Sequence, residues 1–147
     1  MKKGYLAIVL HAHLPYVRNP EFEDSLEENW LYEAITDTYI PLLMVLEDLV
    51  RDGVDFRLTL SLTPTLASML RDPLLQSRYE RRLRGLLELS RKELTRTRTK
   101  PGMNTLAQMY HRRLTRVSDA YLHRYEKDLV HTFGKLQKRG KVEIIAS

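Results

Sequence analysis

The chain has 147 residues, 43% of them hydrophobic, which suffices for one core and fits one domain or part of a larger one. It has no cysteine, so disulfides and thiolate metal sites are excluded, as suits a cytosolic protein. Lys and Arg number 24 against 19 acids, a formal charge of +5.

That excess is modest and unevenly spread. The basic run lies in residues 71–100 (Arg78, Arg81, Arg82, Arg91, Lys92 and Arg96 among others), whereas residues 21–55 are rich in Glu and Asp. A basic helical stretch can bind nucleic acid or an acidic lipid surface, and its plainer reading is the solvated face of a surface helix. The apolar run near the amino terminus, about six residues, is shorter than the roughly seven to fifteen of a secretory signal. No segment reaches the roughly 20 apolar residues of a membrane span. The expectation is a soluble, cytoplasmic protein with no membrane partner.

Tyr5 to Leu10 is a continuous apolar run, as in a parallel strand covered on both faces. His11 to Arg18, with Pro15, forms a loop. Ser25 and Glu28 have capping-box spacing and predict a helix reaching Asp52, with Gly53 as its stop. Leu26, Trp30, Ala34, Leu42, Leu46 and Leu49 or Val50 line its inner side on this reading, and Pro41 predicts a kink near Tyr39–Pro41. Phe56 to Leu62 alternates apolar and polar residues and reads as a second strand. Thr63-Pro64 opens a short helix ending near Arg71.

Residues 74–95 form a basic amphipathic helix with a stripe from Leu75, Tyr79 and Leu83 through Leu86, Leu87, Leu89 and Leu94. Residues 95–104 read as a loop, and 105–139 as one long helix closed by Gly140. Lys141 to Ser147 is a third strand. The order β-α-β-α-α-α-β makes the chain α/β with a parallel sheet or barrel. Three strands do not close a barrel, and a buried-type strand at the end leaves an edge open. The chain therefore reads as an incomplete barrel, with a small open three-stranded domain as the alternative.

The chemistry-bearing segment is Leu10 to Pro15, at the carboxyl end of the first strand, where parallel α/β folds build their sites. His11 and His13, two residues apart, point to one side if the strand geometry continues. Imidazole there can bind a metal, move a proton or hydrogen-bond a sugar hydroxyl. A metal-dependent hydrolase with a His-x-His site, a substrate-binding pair and two ordinary polar residues all remain open on the residues alone. His111, His123 and His131 fall on predicted helices away from that end.

The segments 4–18 and 26–43, and less strongly Phe56 to Leu66 with the basic helical insertion after it, resemble the opening of the family 57 glycoside hydrolases, in particular their 1,4-α-glucan branching enzymes. The resemblance implies the first three β/α units of an incomplete (β/α)7 barrel, with an extra helical insertion between strands 2 and 3. It implies an α-glucan substrate, cleavage of an α-1,4 link and transfer to a 6-hydroxyl, through a Glu nucleophile and an Asp acid/base set about 5 Å apart as retention requires. It implies no metal and no cofactor, and no nucleic-acid partner.

His13-Leu14-Pro15 is similar to the family's first motif, with Leu where Gln is usual. His13 is then a sugar ligand in the donor subsite, with His11 beside it. Trp30 falls where branching enzymes carry an aromatic near the cleft, and an indole face can stack on a pyranose ring. Plain helix packing is the other reading of Trp30, and helix capping the reading of Glu28. In the family the nucleophile follows the fourth strand and the acid/base comes later still. None of the 19 acids here matches either position, so the resemblance leaves this chain without catalytic residues and inactive by itself. A second polypeptide completing the barrel is a further option.

Overall fold

The computed structural model describes residues 4–23 and 25–146. Met1–Lys3, Asp24 and Ser147, the last of these assigned above to the third strand, lie outside the described residues. Three strands, β1 (Val9–Ala12), β2 (Leu58–Leu62) and β3 (Val142–Ile145), form a parallel sheet in the order β1-β2-β3. The helices are α1 (Leu26–Ala34), α2 (Ile40–Arg51), α3 (Pro64–Leu70), α4 (Pro73–Arg96), α5 (Pro101–Asp119) and α6 (Leu129–Lys138). The α/β class and the strand order agree with the sequence, and among the described residues six helices stand where four were expected, because the first and the last expected helices are each two.

β1 is shorter at its start than the apolar run suggests. Its register sets Val9 against Thr59 and Leu10 against Leu60, so Tyr5 to Ala7 face the stretch that precedes β2. Tyr5 and Leu6 are accordingly exposed. Nor is the strand covered on both faces. Leu10, Ala12, Leu58, Leu60, Val142 and Ile144 belong to or pack against the core, while Val9 is 50% exposed.

Between α1 and α2 the backbone passes through a π-turn at Ile35–Tyr39 instead of breaking. Pro41 stands in the first turn of α2. It has no N–H to return to the Asp37 carbonyl, so the wider turn carries the chain past it. The expected kink thus takes this form. The buried face of α1 is Glu28, Leu31 and Tyr32, with Ile35 and Thr36 beyond, whereas Leu26 and Trp30 are exposed. The stripe predicted for this helix is corrected there: polar Glu28 and Thr36 belong inside because each has buried partners. The capping box does not form either, since Ser25 Oγ donates to Glu27 Oε2 at 2.5 Å and Glu28 turns inward.

Thr63 caps α3 as expected, its Oγ1 accepting from the Leu66 N–H at 3.2 Å. The predicted loop 95–104 shrinks to Thr97–Lys100, because Pro101 begins α5. The long helix 105–139 is two. α5 runs into a second π-turn, Ala120–Arg124, and then a tight turn with Glu126 and Lys127 at φ of 48° and 65°. Asp128 restarts the chain as α6 by accepting from the His131 N–H at 2.8 Å. Gly53 and Gly140, both at positive φ, follow α2 and α6 as the sequence indicates.

α4 and α5 pack side by side as a hairpin, and α6 lies against β3 and α2. The α4 stripe is buried at Leu75, Tyr79 and Leu83, but Leu89 is exposed. Among the described residues no helix is long and apolar enough to cross a membrane.

Candidate functional site

Alternate residues of a strand point to opposite faces, and register neighbours share one. His11 pairs with Ser61, and Ser61 with Ile145; one step earlier Val9, Thr59 and Glu143 align. These residues lie opposite the Leu60 face on which the core is built. The Thr59 Oγ1 donates to Glu143 Oε2 at 3.1 Å across β2 and β3, on a face that also carries the exposed side chains of Val9 and Ile145. His13 lies just past the end of β1, and both histidines are exposed.

His11 thus stands toward the carboxyl end of the sheet, and His13 lies one residue past the end of β1. Trp30 is carried by a different element, α1, with 47% of its surface exposed on the side turned from the core. His111 bonds Ser90 Oγ through Nδ1 at 2.8 Å, His123 approaches Asp119, and His131 lies in the first turn of α6. Among the described residues no three His, Cys, Asp or Glu side chains cluster so as to hold a metal. A metal-dependent reading of His11 and His13 needs ligands from elsewhere.

The loop between β1 and α1 is fixed at both ends. The Thr63 N–H reaches the Ala12 carbonyl at 3.2 Å at its start. At its far end the Val17 N–H points to Met69 Sδ at 3.3 Å, and Arg18 Nε donates to Asp72 Oδ2 at 2.8 Å. Asn19 is held twice. Its N–H donates to Glu28 Oε1 at 2.9 Å, and its carbonyl accepts from Arg78 Nη1 at 2.7 Å. Arg78 and Glu28 themselves pair at 2.6 Å, with side chains 8% and 1% exposed. Tyr32 donates its hydroxyl to Glu28 Oε2 at 2.8 Å; burial, then this bond, hold the phenol well above its usual range, so it stays a donor.

Ser61, the buried register partner of His11, was not among the expected site residues, and Thr59 and Glu143 lie nearer the amino ends of their strands, away from the carboxyl end. The period-two alternation of the second strand carries the signal for Ser61, but only once the parallel register is known. Glu28 and Arg78 are 50 residues apart, and nothing local in the sequence links them.

Residues 7–147 match the profile of Glycosyl hydrolase family 57, and the chain belongs to that family. A 1,4-alpha-glucan branching enzyme of Thermococcus kodakarensis is 35% identical over 145 residues, covering 99% of this chain and 21% of the relative. A GH57-type branching enzyme of Pyrococcus horikoshii superposes with a TM-score of 0.91 at 34% identity, over 99% of this chain and 27% of that one. The alpha-amylase AmyC of Thermotoga maritima superposes with a TM-score of 0.89 at 43% identity, over 95% of this chain and 26% of that one. The chain thus spans about a quarter or less of the length of the relatives it matches.

Proposed function

We propose that the chain is the amino-terminal portion of the barrel of an α-glucan-acting enzyme, and that the whole enzyme is a 1,4-α-glucan branching enzyme. Supporting this reading, nearly the whole chain superposes on a branching enzyme while His11 and His13 stand at the carboxyl end of β1. In (β/α) barrels that end carries the site. His13 is the donor-subsite sugar ligand in this scheme, with His11 beside it and Trp30 available to stack on a pyranose ring. The sheet contributes the strands of the first three units of an incomplete (β/α)7 barrel, and the basic helical hairpin of α4 and α5 is the extra insertion between β2 and β3, while α6 packs on the sheet side against β3 and α2. The Glu nucleophile and the Asp acid/base come from the remainder of the enzyme.

Hydrolysis is the second reading, favoured by the 43% identity to the amylase. The two differ in whether water or a glucan hydroxyl reaches the glycosyl-enzyme intermediate. Two measurements on the purified chain test the proposal. Titration with maltoheptaose is expected to show weak binding that His13→Ala removes, with the fold intact; binding unaffected by that substitution excludes His13 as a ligand. Incubation with amylose is expected to give no new α-1,6 linkages, and their appearance would show that the chain holds its own catalytic carboxylates.

A further inference from the structure

We infer that the buried Glu28–Arg78 pair is a positioning clasp, which grips the backbone of Asn19 and thereby sets where His13 stands.

A buried ion pair by itself is weak support for stability, because desolvating both charges offsets most of their attraction. Apolar side chains of similar size fill such a space equally well. What they cannot do is hold a peptide group by both its polar atoms. Glu28 Oε1 takes the Asn19 N–H while Arg78 Nη1 gives to the Asn19 carbonyl, and the two side chains close the ring between them at 2.6 Å. Their grip joins α1 and α4 at Asn19, in the loop that leads to α1. No buried side-chain nitrogen or oxygen among the described residues lacks a hydrogen-bond partner, so the set is complete.

The consequence reaches His13 through the shortness of the loop. Ala12 is tied to Thr63, and Val17, Arg18 and Asn19 are tied to Met69, Asp72 and the clasp. Only His13 to Tyr16 lie between, and Pro15 fixes one φ among them. Fixing both ends of four residues leaves His13 little freedom. Glu28 and Arg78 are thus positioning residues and touch no substrate; that His13 meets a sugar rests on the reading proposed above.

The test uses the 147-residue chain and the double variant Glu28→Leu/Arg78→Met, which leaves no charge buried. Amide exchange and the His13 ring resonance are followed by NMR, with thermal unfolding as control. The expected result is at least tenfold faster exchange at Val17 and a shifted or broadened His13 resonance, with Leu60 and Leu83 exchanging as in the wild type. Val17 and His13 unchanged, or exchange accelerated equally through α1, α4 and the loop, would overturn the clasp. Should the double variant fail to fold, Arg78→Lys, which keeps the charge but is too short and narrow a donor for both acceptors, is expected to give the same local pattern. Maltoheptaose titration separates the two ideas. Wild-type chain that binds no glucan while the exchange pattern holds defeats the glucan reading and leaves the clasp standing.

Discussion

The ring of Tyr79 meets that of Tyr121 edge-on, with centroids 4.7 Å apart and planes at 89°. Tyr121 lies in the second π-turn, and the Tyr79 hydroxyl sits 3.0 Å from Thr36 Oγ1 in the first, so one side chain of α4 ties both widened turns together. The donor can be assigned. Thr36 has a single hydroxyl hydrogen, committed to the Tyr32 carbonyl at 2.8 Å, so Tyr79 donates. Burial keeps the Tyr79 phenol well above its usual range and hence protonated. Tyr79→Phe removes one hydrogen bond and leaves Thr36 its own; the expected cost is about 1 kcal/mol. Tyr79→Ala also loses the ring packing, and about 3–5 kcal/mol is expected. Urea unfolding measures both, and equal losses for Phe and Ala would mean the hydroxyl, not the ring, carries the contact.

Asp72 divides its two oxygens between the start of α4 and Arg18. Oδ1 accepts from the Leu74 and Leu75 N–H groups at 2.9 and 3.0 Å, capping α4, while Oδ2 takes Arg18. Asp72→Ala loses both and should cost about 1–2 kcal/mol. Asp72→Asn keeps a capping oxygen and loses only the partly exposed ion pair, so about 0.2–1 kcal/mol is expected. Equal costs for the two substitutions in chemical denaturation would place the energy in Arg18 instead of the cap.

What the sequence made legible was local or periodic. Thr63-Pro64, Gly53 and Gly140 each act over a few residues and lie where expected, and the alternation of Phe56 to Leu62 marks a strand that begins two residues later, at Leu58. The π-turns did not announce themselves: the first passes the missing N–H of Pro41, and both meet Tyr79, a residue distant in the sequence. The break between α5 and α6 is carried by Glu126 and Lys127, two residues that rarely adopt positive φ, with only Asp128 as a local sign. At the site, His11 and His13 were visible as a motif at a strand end. Ser61, beside His11, required the register, and the Asn19 clasp required a contact between residues 50 apart.

The basic run invites a nucleic-acid reading that its geometry weakens. Arg78 pairs with Glu28, Arg82 with Glu33, Lys92 with Glu88 and Arg96 with Glu93, and Arg81 reaches toward Glu23. Much of the positive charge of α4 is thus answered by α1 and by its own carboxylates. That pairing lowers the number of phosphates the helix can neutralise, and the salt dependence of binding scales with that number. Fluorescence anisotropy with a 20-base-pair duplex is expected to show dissociation constants no tighter than about 10⁻⁴ M at physiological salt, the weak end of non-specific binding. Affinity better than about 10⁻⁶ M with a steep salt slope would restore the binding-module interpretation.

Asp128 gives the fold a pH dependence whose sign can be worked out. Partial burial, the largest single influence, raises its pKa, but the His131 N–H and the guanidinium of Arg71 together outweigh it and hold the carboxyl below its ordinary 3.8. The native state therefore binds this proton more weakly than the unfolded chain does. Its contribution is complete above pH 3.8 and is lost as pH falls through the lowered value. Asp128→Ala should cost about 1 kcal/mol near neutrality, from the lost cap of α6. The difference between wild type and Asp128→Ala should then shrink in urea titrations taken stepwise from pH 5 to pH 2. Asp128→Asn, which keeps a capping oxygen and cannot ionise, should show a smaller deficit at pH 5 that disappears over the same interval. A gap between wild type and Asp128→Ala that stays constant to pH 2 would mean the carboxylate charge contributes nothing and the cap acts through geometry alone.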